Sequence, residues 1–338
     1  MSEPSGPVEL GHGVLAHSRV WRDGVLVDDD VTPDEMLTVA RDPSSLVWLD
    51  LVAPSPDALA VIAADLGLPP TAVEDALAPH ERAKIARHES HLFFTVYATT
   101  LDGERAGATT TLRIDRISGI LLPMALVTVR LSHDYDLQPV IERWSESRDL
   151  LAHGAGALVH GLLDHVVDGH FATIQQIDDE LERLEDVLFE ESTTGRPFLK
   201  QVYGLRKDLV QLRRVVLPMR EVVNGLLRHG GPDALRPWFD DLYDHVLRAS
   251  EWTESLRDMV TSIFETNLSL QDARLNTIMK KLAGWAAIIA VPTAITGWFG
   301  QNVPYPGYSE PLGLWLSGGL IVLGGLFLYW VFKARDWL

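Results

Sequence analysis

The residues best suited to chemistry lie near the C-terminus, in Thr293-Ala294-Ile295-Thr296-Gly297-Trp298-Phe299-Gly300-Gln301-Asn302. Gly300, Gln301 and Asn302 set a flexible backbone and two carboxamides at the end of a long apolar run. Such groups can accept hydrogen bonds from a hydrated ion, and a helix C-terminal turn favours the same residue types. Upstream, Asn276, Met279, Ala286, Ala290, Thr293 and Gly297 step by three, seven, four, three and four residues, so they share one helix face. A lined passage and ordinary helix packing both fit that face. Among the acids, Asp102-Gly103 reads as a hairpin-turn dipeptide. Asp241 opens the string Asp241-Leu242-Tyr243-Asp244-His245, and Glu310 stands alone between two apolar runs. His153, His160, His165 and His170 crowd one predicted helix without the i, i+4 spacing of a helical zinc site, which fits core or solvated histidines. There is no Gly-x-x-x-x-Gly-Lys-Ser/Thr loop and no Gly-x-Ser-x-Gly elbow, and Gly154-Ala155-Gly156 lacks the third glycine of a dinucleotide fingerprint. Neither an active site nor an organic cofactor is expected.

These residues must be held by elements of two kinds. From Leu282 to Ser309 no residue is charged, and the same is true from Leu312 to Phe332. Each stretch can cross roughly 30 Å of hydrocarbon as a helix. Pro304, Pro306 and Gly307 break the chain between them. Lys280 and Lys281 precede the first span and Lys333 and Arg335 follow the second, while the intervening loop carries only Glu310. The positive-inside rule then puts both termini in the cytoplasm. Gly318, Gly319, Gly324 and Gly325 in the second span suit close helix packing. Two spans cannot enclose an aqueous path, so conduction would require several copies.

Ahead of the spans the chain is strongly acidic, with a formal net charge of -18 over 338 residues. That excess argues against a nucleic-acid partner. Cysteine is absent, so disulfides and thiolate metal sites are excluded. The N-terminus has neither the basic start nor the apolar core of a signal peptide, and the first 280 residues are expected in the cytosol. Residues 1–150 read as an α/β domain. Strands are expected at Val20–Val27, a hairpin around Asp23-Gly24, and at Leu46–Leu51, His91–Thr99, Thr110–Ile117 and Leu126–Leu131. Pro56–Leu66 and Pro70–Leu77 read as helices opening on proline. Residues 151–281 read as a long-helix stalk: Ala157–Glu191 ended by Thr193–Pro197, then Phe198–Leu227, then a helix expected from Ala234 that continues to Pro292. Residues 282–338 hold the spans, at about 282–301 and 312–332, with an outer loop at 302–311. The fold class is an α+β membrane protein.

The C-terminal string resembles the end of the pore helix in CorA-type magnesium channels, whose signature is Gly-Met-Asn. The likeness extends over nearly the whole chain, through Trp48-Leu49-Asp50, Ala72-Val73-Glu74-Asp75-Ala76-Leu77, Asp178-Asp179-Glu180-Leu181, Leu217-Pro218-Met219-Arg220-Glu221, the Asp241–His245 string and Lys333-Ala334-Arg335-Asp336-Trp337-Leu338. The resemblance implies a homopentameric funnel in the inner (plasma) membrane that passively takes up hydrated Mg²⁺, with Co²⁺ and Ni²⁺ as possible passengers. It implies that Gly300, Gln301 and Asn302 form the filter, with the Asn302 amide oxygen bonding the hydration shell. Asn276, Met279 and Thr293 match pore-lining positions. Ala290 stands where the family often has a bulky Met, which makes Met279 with Leu282 the expected gate. Asp102 and Asp241 match carboxylates that bind regulatory Mg²⁺ across subunits, and Glu310 is the single outer-loop acid. The middle residue of the triplet departs from Gly-Met-Asn, and zinc-transporting ZntB-type relatives carry Gly-Ile-Asn. Two alternatives therefore stand beside Mg²⁺ transport: Zn²⁺ transport, and a non-conducting, membrane-tethered sensor or scaffold for divalent cations.

Overall fold

A computed structural model describes residues 8–10, 14–28, 31, 39, 42, 44–78, 81–102, 111–188, 196–301, 304–305, 307–308 and 310–338. The chain divides into two compact units, Met1–Thr261 and Ser262–Leu338.

The first unit is built on a mixed sheet. Its strands are β1 (Val8–Leu10), β2 (Val14–Arg22), β3 (Val25–Asp28), β4 (Ser45–Val52), β5 (Lys84–Arg87), β6 (Leu92–Asp102), β7 (Thr111–Leu121) and β8 (Ala125–Arg130). They run in the order β1-β2-β4-β8-β7-β6-β5, with β3 paired to β2. Only the β4–β8 pairing is parallel among the described strands. Between β4 and β5 lie helices α1 (Pro56–Asp65) and α2 (Pro70–Leu77). Ser55 caps α1, its Oγ accepting from the Ala58 amide at 3.2 Å, and Pro56 occupies the first turn, where its missing N–H costs nothing.

Every residue of β4 is buried because helices cover both sheet faces. Val47 and Leu49 pack with Leu59, Ala63 and Phe93 on the α1/α2 side. Trp48 faces the other way, against α3 (Gln138–Glu146), where the Trp48 and Trp144 rings meet edge-on at 5.0 Å. That second face is closed by α4 (Arg148–Leu151), α5 (Ala155–Leu188), α7 (Met219–His229) and the start of α8 (Arg236–Phe299). The expected strands and the helices opening on Pro56 and Pro70 are all present. Expected Ala157–Glu191 begins at Ala155, and its end beyond Leu188 lies outside the described residues.

The structure corrects two boundaries. Arg196 and Pro197 do not end a helix; they open α6 (Arg196–Val216), with the proline again in a first turn. The single helix expected over Phe198–Leu227 is two, α6 and α7. Pro218 has no N–H to donate and disfavours helical geometry at Leu217, so the ladder restarts at Met219.

The Trp48-Leu49-Asp50 segment anchors a buried polar network. Asp50 is fully buried and accepts from Arg130 Nε at 3.0 Å and from Thr128 Oγ1 at 2.6 Å. Thr128 Oγ1 in turn accepts from Trp48 Nε1 at 3.1 Å. The charge is thus paired and its lone pairs are filled, which a carboxylate inside a sheet requires.

The second unit contains the rest of α8 and α9 (Pro311–Ala334). The helix expected from Ala234 to beyond Pro292 is present as Arg236–Phe299, and Pro292 lies inside it.

Candidate functional site

Within the second unit, the packing of α8 on α9 determines which face of α8 is left free. Gly284 is buried, and a Cβ there would lie 3.5 Å from Leu338 and 3.7 Å from Phe332. A Cβ on Gly324 would come within 3.1 Å of Val291 Cγ1. At roughly 100° per residue, Gly284, Val291 and Ile295 point one way, and Met279, Ala286, Ala290, Thr293 and Gly297 point about opposite. All of the latter are exposed, as are Asn276 and Leu282. Met279 is 68% exposed and Leu282 70%. The candidate face is therefore not the one used for packing within the chain. Of the four glycines in the second span, Gly324 alone meets a close neighbour; Cβ atoms at Gly318, Gly319 and Gly325 would enter open space.

The C-terminal end of α8 is closed by short-range bonds. The Gly300 amide donates to Thr296 O at 2.8 Å and the Gln301 amide to Trp298 O at 3.3 Å. The Thr293 hydroxyl turns back to Ile289 O at 3.1 Å. Asn302 lies outside the described residues. Beyond it, Tyr305 ties the loop to the helix end: its hydroxyl donates to Phe299 O at 3.3 Å and its ring meets Phe299 edge-on at 5.0 Å. Gly307 sits at φ +90, and a Cβ on Gly313 would fall 2.6 Å from Gly307 O, so both positions need glycine. Glu310 is exposed at the start of α9, where the helix dipole favours a carboxylate.

The apolar stretches of α8 and α9 are not covered by the rest of the chain. In each, the most apolar 18-residue window is only 6% buried within the chain. Exposed Leu282, Trp285, Ile289, Leu314, Trp315, Leu323 and Phe327 require lipid or other copies as solvent.

In the first unit, Asp241 lies near the start of α8 with its side chain 71% exposed and its Oδ2 3.8 Å from His245 Nε2. Asp102 ends β6, paired with Thr111; its side chain and the following loop lie outside the described residues. No three His, Asp or Glu side chains among the described residues converge on a metal position. The histidines of α5 act structurally: His170 Nε2 donates to Tyr97 O at 2.7 Å, and burial pushes its pKa down to about 4, so it is neutral at pH 7.

A family model described as "CorA-like Mg2+ transporter protein" matches residues 43–334. A cobalt/magnesium transport protein CorA from Thermotoga maritima is 27% identical over 317 residues, covering 91% of this chain and 88% of the relative. A zinc transport protein ZntB from Yersinia enterocolitica is 26% identical over 323 residues, covering 91% of each. Among solved structures, the complete CorA magnesium transporter from Methanocaldococcus jannaschii superposes with a TM-score of 0.74 at 24% identity, covering 96% of this chain and 98% of that one.

Proposed function

This chain belongs to the CorA-like Mg²⁺ transporter family, a family of divalent-metal transporters and not of enzymes, and from that premise we propose that it admits hydrated Mg²⁺ to the cytoplasm through a pore enclosed by five copies. The observation that carries the proposal is the free face of α8. A small, uncharged stripe from Met279 to Gly297 lies opposite the face that packs on α9, so copies gathered around an axis can line a passage with it.

The physics is consistent. Mg²⁺ sheds water reluctantly, so a filter serves it best by hydrogen-bonding the hydration shell. Five Asn302 carboxamides supply acceptors without the trapping charge of a carboxylate, and Gly300 allows the chain to turn tightly beside them. Thr293 and Asn276 offer further polar groups along the stripe. Ala290 leaves that level wide, and Met279 with Leu282 then forms the hydrophobic constriction. Inside-negative potential drives entry by about 2 × 2.3 kcal/mol per 100 mV, so no ATP site is needed. Lys280, Lys281, Lys333 and Arg335 support cytoplasmic termini, and Glu310 a modest outward lure for cations. Asp102 and Asp241, brought together between neighbouring copies, would hold regulatory Mg²⁺ and restrain opening when internal Mg²⁺ is high.

Flux into liposomes containing the purified protein tests the reading. Mg²⁺ entry that falls at least about tenfold in Asn302→Ala is the expected outcome, since the mutant loses a ring of acceptors at once. Zn²⁺ entry without Mg²⁺ entry would move the assignment to the zinc transporters, and no flux of either would leave a tethered sensor.

A further inference from the structure

A cavity of about 330 Å³ opens at one end of the first unit, far in sequence from the spans. Four connections meet there: the β5–β6 turn, the β7–β8 turn, the α4–α5 junction and the α7–α8 junction. Its size is at the lower end of small-molecule sites. Although the whole chain carries a net charge of -18, Glu89 is the one acid in this wall, against Arg87 and four histidines.

The donors come from separate elements. Arg87 Nη1 donates to His229 Nδ1 at 3.3 Å, which ties the β5–β6 turn to the end of α7 and leaves the rest of the guanidinium unused by that bond. Ala155 and Gly156 begin α5, a helix of 34 residues, and first-turn N–H groups have no intrahelical acceptor. The backbone comes close here because Gly156 has no side chain: a Cβ would lie 2.4 Å from Gly230 O.

Two further nitrogens, on histidines of the wall, lack partners. His91 is only 5% exposed, and its Nε2, like that of His88, is shielded from water and has no hydrogen-bond partner. Burying polar atoms unpaired is costly, and both of these lie behind the surface of the cavity wall, not on it.

The ring geometry selects the kind of ligand. His88 and His91 stack with centroids 4.5 Å apart and planes within 12° of parallel. Metal ligation requires each nitrogen to point in its ring plane at the ion, and parallel stacked rings cannot converge on one cation. A helix N-terminus and an arginine also repel a cation and attract an anion. We propose that this cavity binds a phosphate-bearing anion, either inorganic phosphate or the phosphate group of a small ester.

Calorimetric titration of the full-length protein in detergent, free of Mg²⁺, with inorganic phosphate and with adenosine monophosphate tests the proposal. Saturable binding is expected. Arg87→Gln should weaken it about tenfold and His229→Gln about threefold, as loss of charge-assisted bonds does. Both side chains are exposed, so both variants should keep the wild-type melting temperature. Arg214→Gln, in the separate arginine-lined cavity between α6 and α8, should leave affinity unchanged. Tighter binding of the nucleotide would identify an ester as the ligand, and equal affinities free phosphate; either supports the site. No binding by the wild type, unchanged affinity in both Arg87→Gln and His229→Gln, loss confined to Arg214→Gln, or Zn²⁺ binding at His229 in place of phosphate would each overturn it.

Discussion

The two units handle apolar surface in opposite ways. In Met1–Thr261 the tryptophans Trp21, Trp48 and Trp144 are about 1% exposed and interlock edge-on, and the buried carboxylate of Asp50 has its charge partner. In Ser262–Leu338, Trp285, Trp298, Trp315 and Trp330 are all more than half exposed. The first unit completes its own core; the second leaves its apolar surface uncovered within the chain. It follows that a substitution in the first unit should register chiefly as stability, and one on the free face of α8 chiefly as ion movement.

The sharpest form of that contrast is Arg130→Ala. Side-chain exposures of 7% for Arg130 and 0% for Asp50 mean that the mutation strands a buried charge. Breaking such a pair costs about 3–5 kcal/mol. A fall of roughly 10 °C in melting temperature is expected for a unit of this size. Replacing both partners, as Asp50→Leu with Arg130→Met, should recover most of the loss, because no charge is then left unpaired. A drop of under 2 °C in the single mutant would mean that water reaches Asp50, and the contrast between the units would weaken.

Met279→Ala probes the other side. The residue is 68% exposed in the single chain and has no core to lose. Its melting temperature should stay within about 1 °C of the wild type, as for surface changes away from special features. If Met279 lines the proposed constriction, Mg²⁺ leak through the closed state should rise several-fold, on the order of tenfold. A leak that is unchanged in Met279→Ala and raised in Leu282→Ala would put the constriction one turn higher.

What could be read from the residues followed the same division. Local signals were legible. Asp23-Gly24 announces its hairpin because both residues take positive φ, and the long helix shows in the absence of any proline between Pro237, in its first turn, and Pro292. Leu217-Pro218 was also a local signal, yet the apolar period continues across it and hid the break between α6 and α7. β5, with only four residues and a basic one at each end, has no pattern to reveal it and exists through its pairing with β6. The role of Asp50 depends on Arg130, eighty positions away, and no spacing rule joins them. The histidine-lined cavity likewise gathers Arg87 and His229 across 142 positions. Gly300-Gln301-Asn302 fits a filter and a helix end equally well by residue type, because a filter is a property of several copies and not of one chain.

Asp241 tests whether the units communicate, and its expected effect is the smallest. Its side chain is 71% exposed, with His245 at 3.8 Å, so Asp241→Ala should change stability by less than about 0.5 kcal/mol. If the carboxylate helps to hold regulatory Mg²⁺ between copies, the internal Mg²⁺ concentration that half-inhibits flux should rise about threefold, a coupling of roughly 0.7 kcal/mol. Asp240→Ala is the matched control. It removes the same charge one residue away, from a side chain 60% exposed whose partner is Arg236 at 4.0 Å. General loss of acidity would shift both mutants equally, whereas a built site shifts only Asp241→Ala. Equal shifts, or none, would assign inhibition to another part of the molecule and leave the first unit a support for the second.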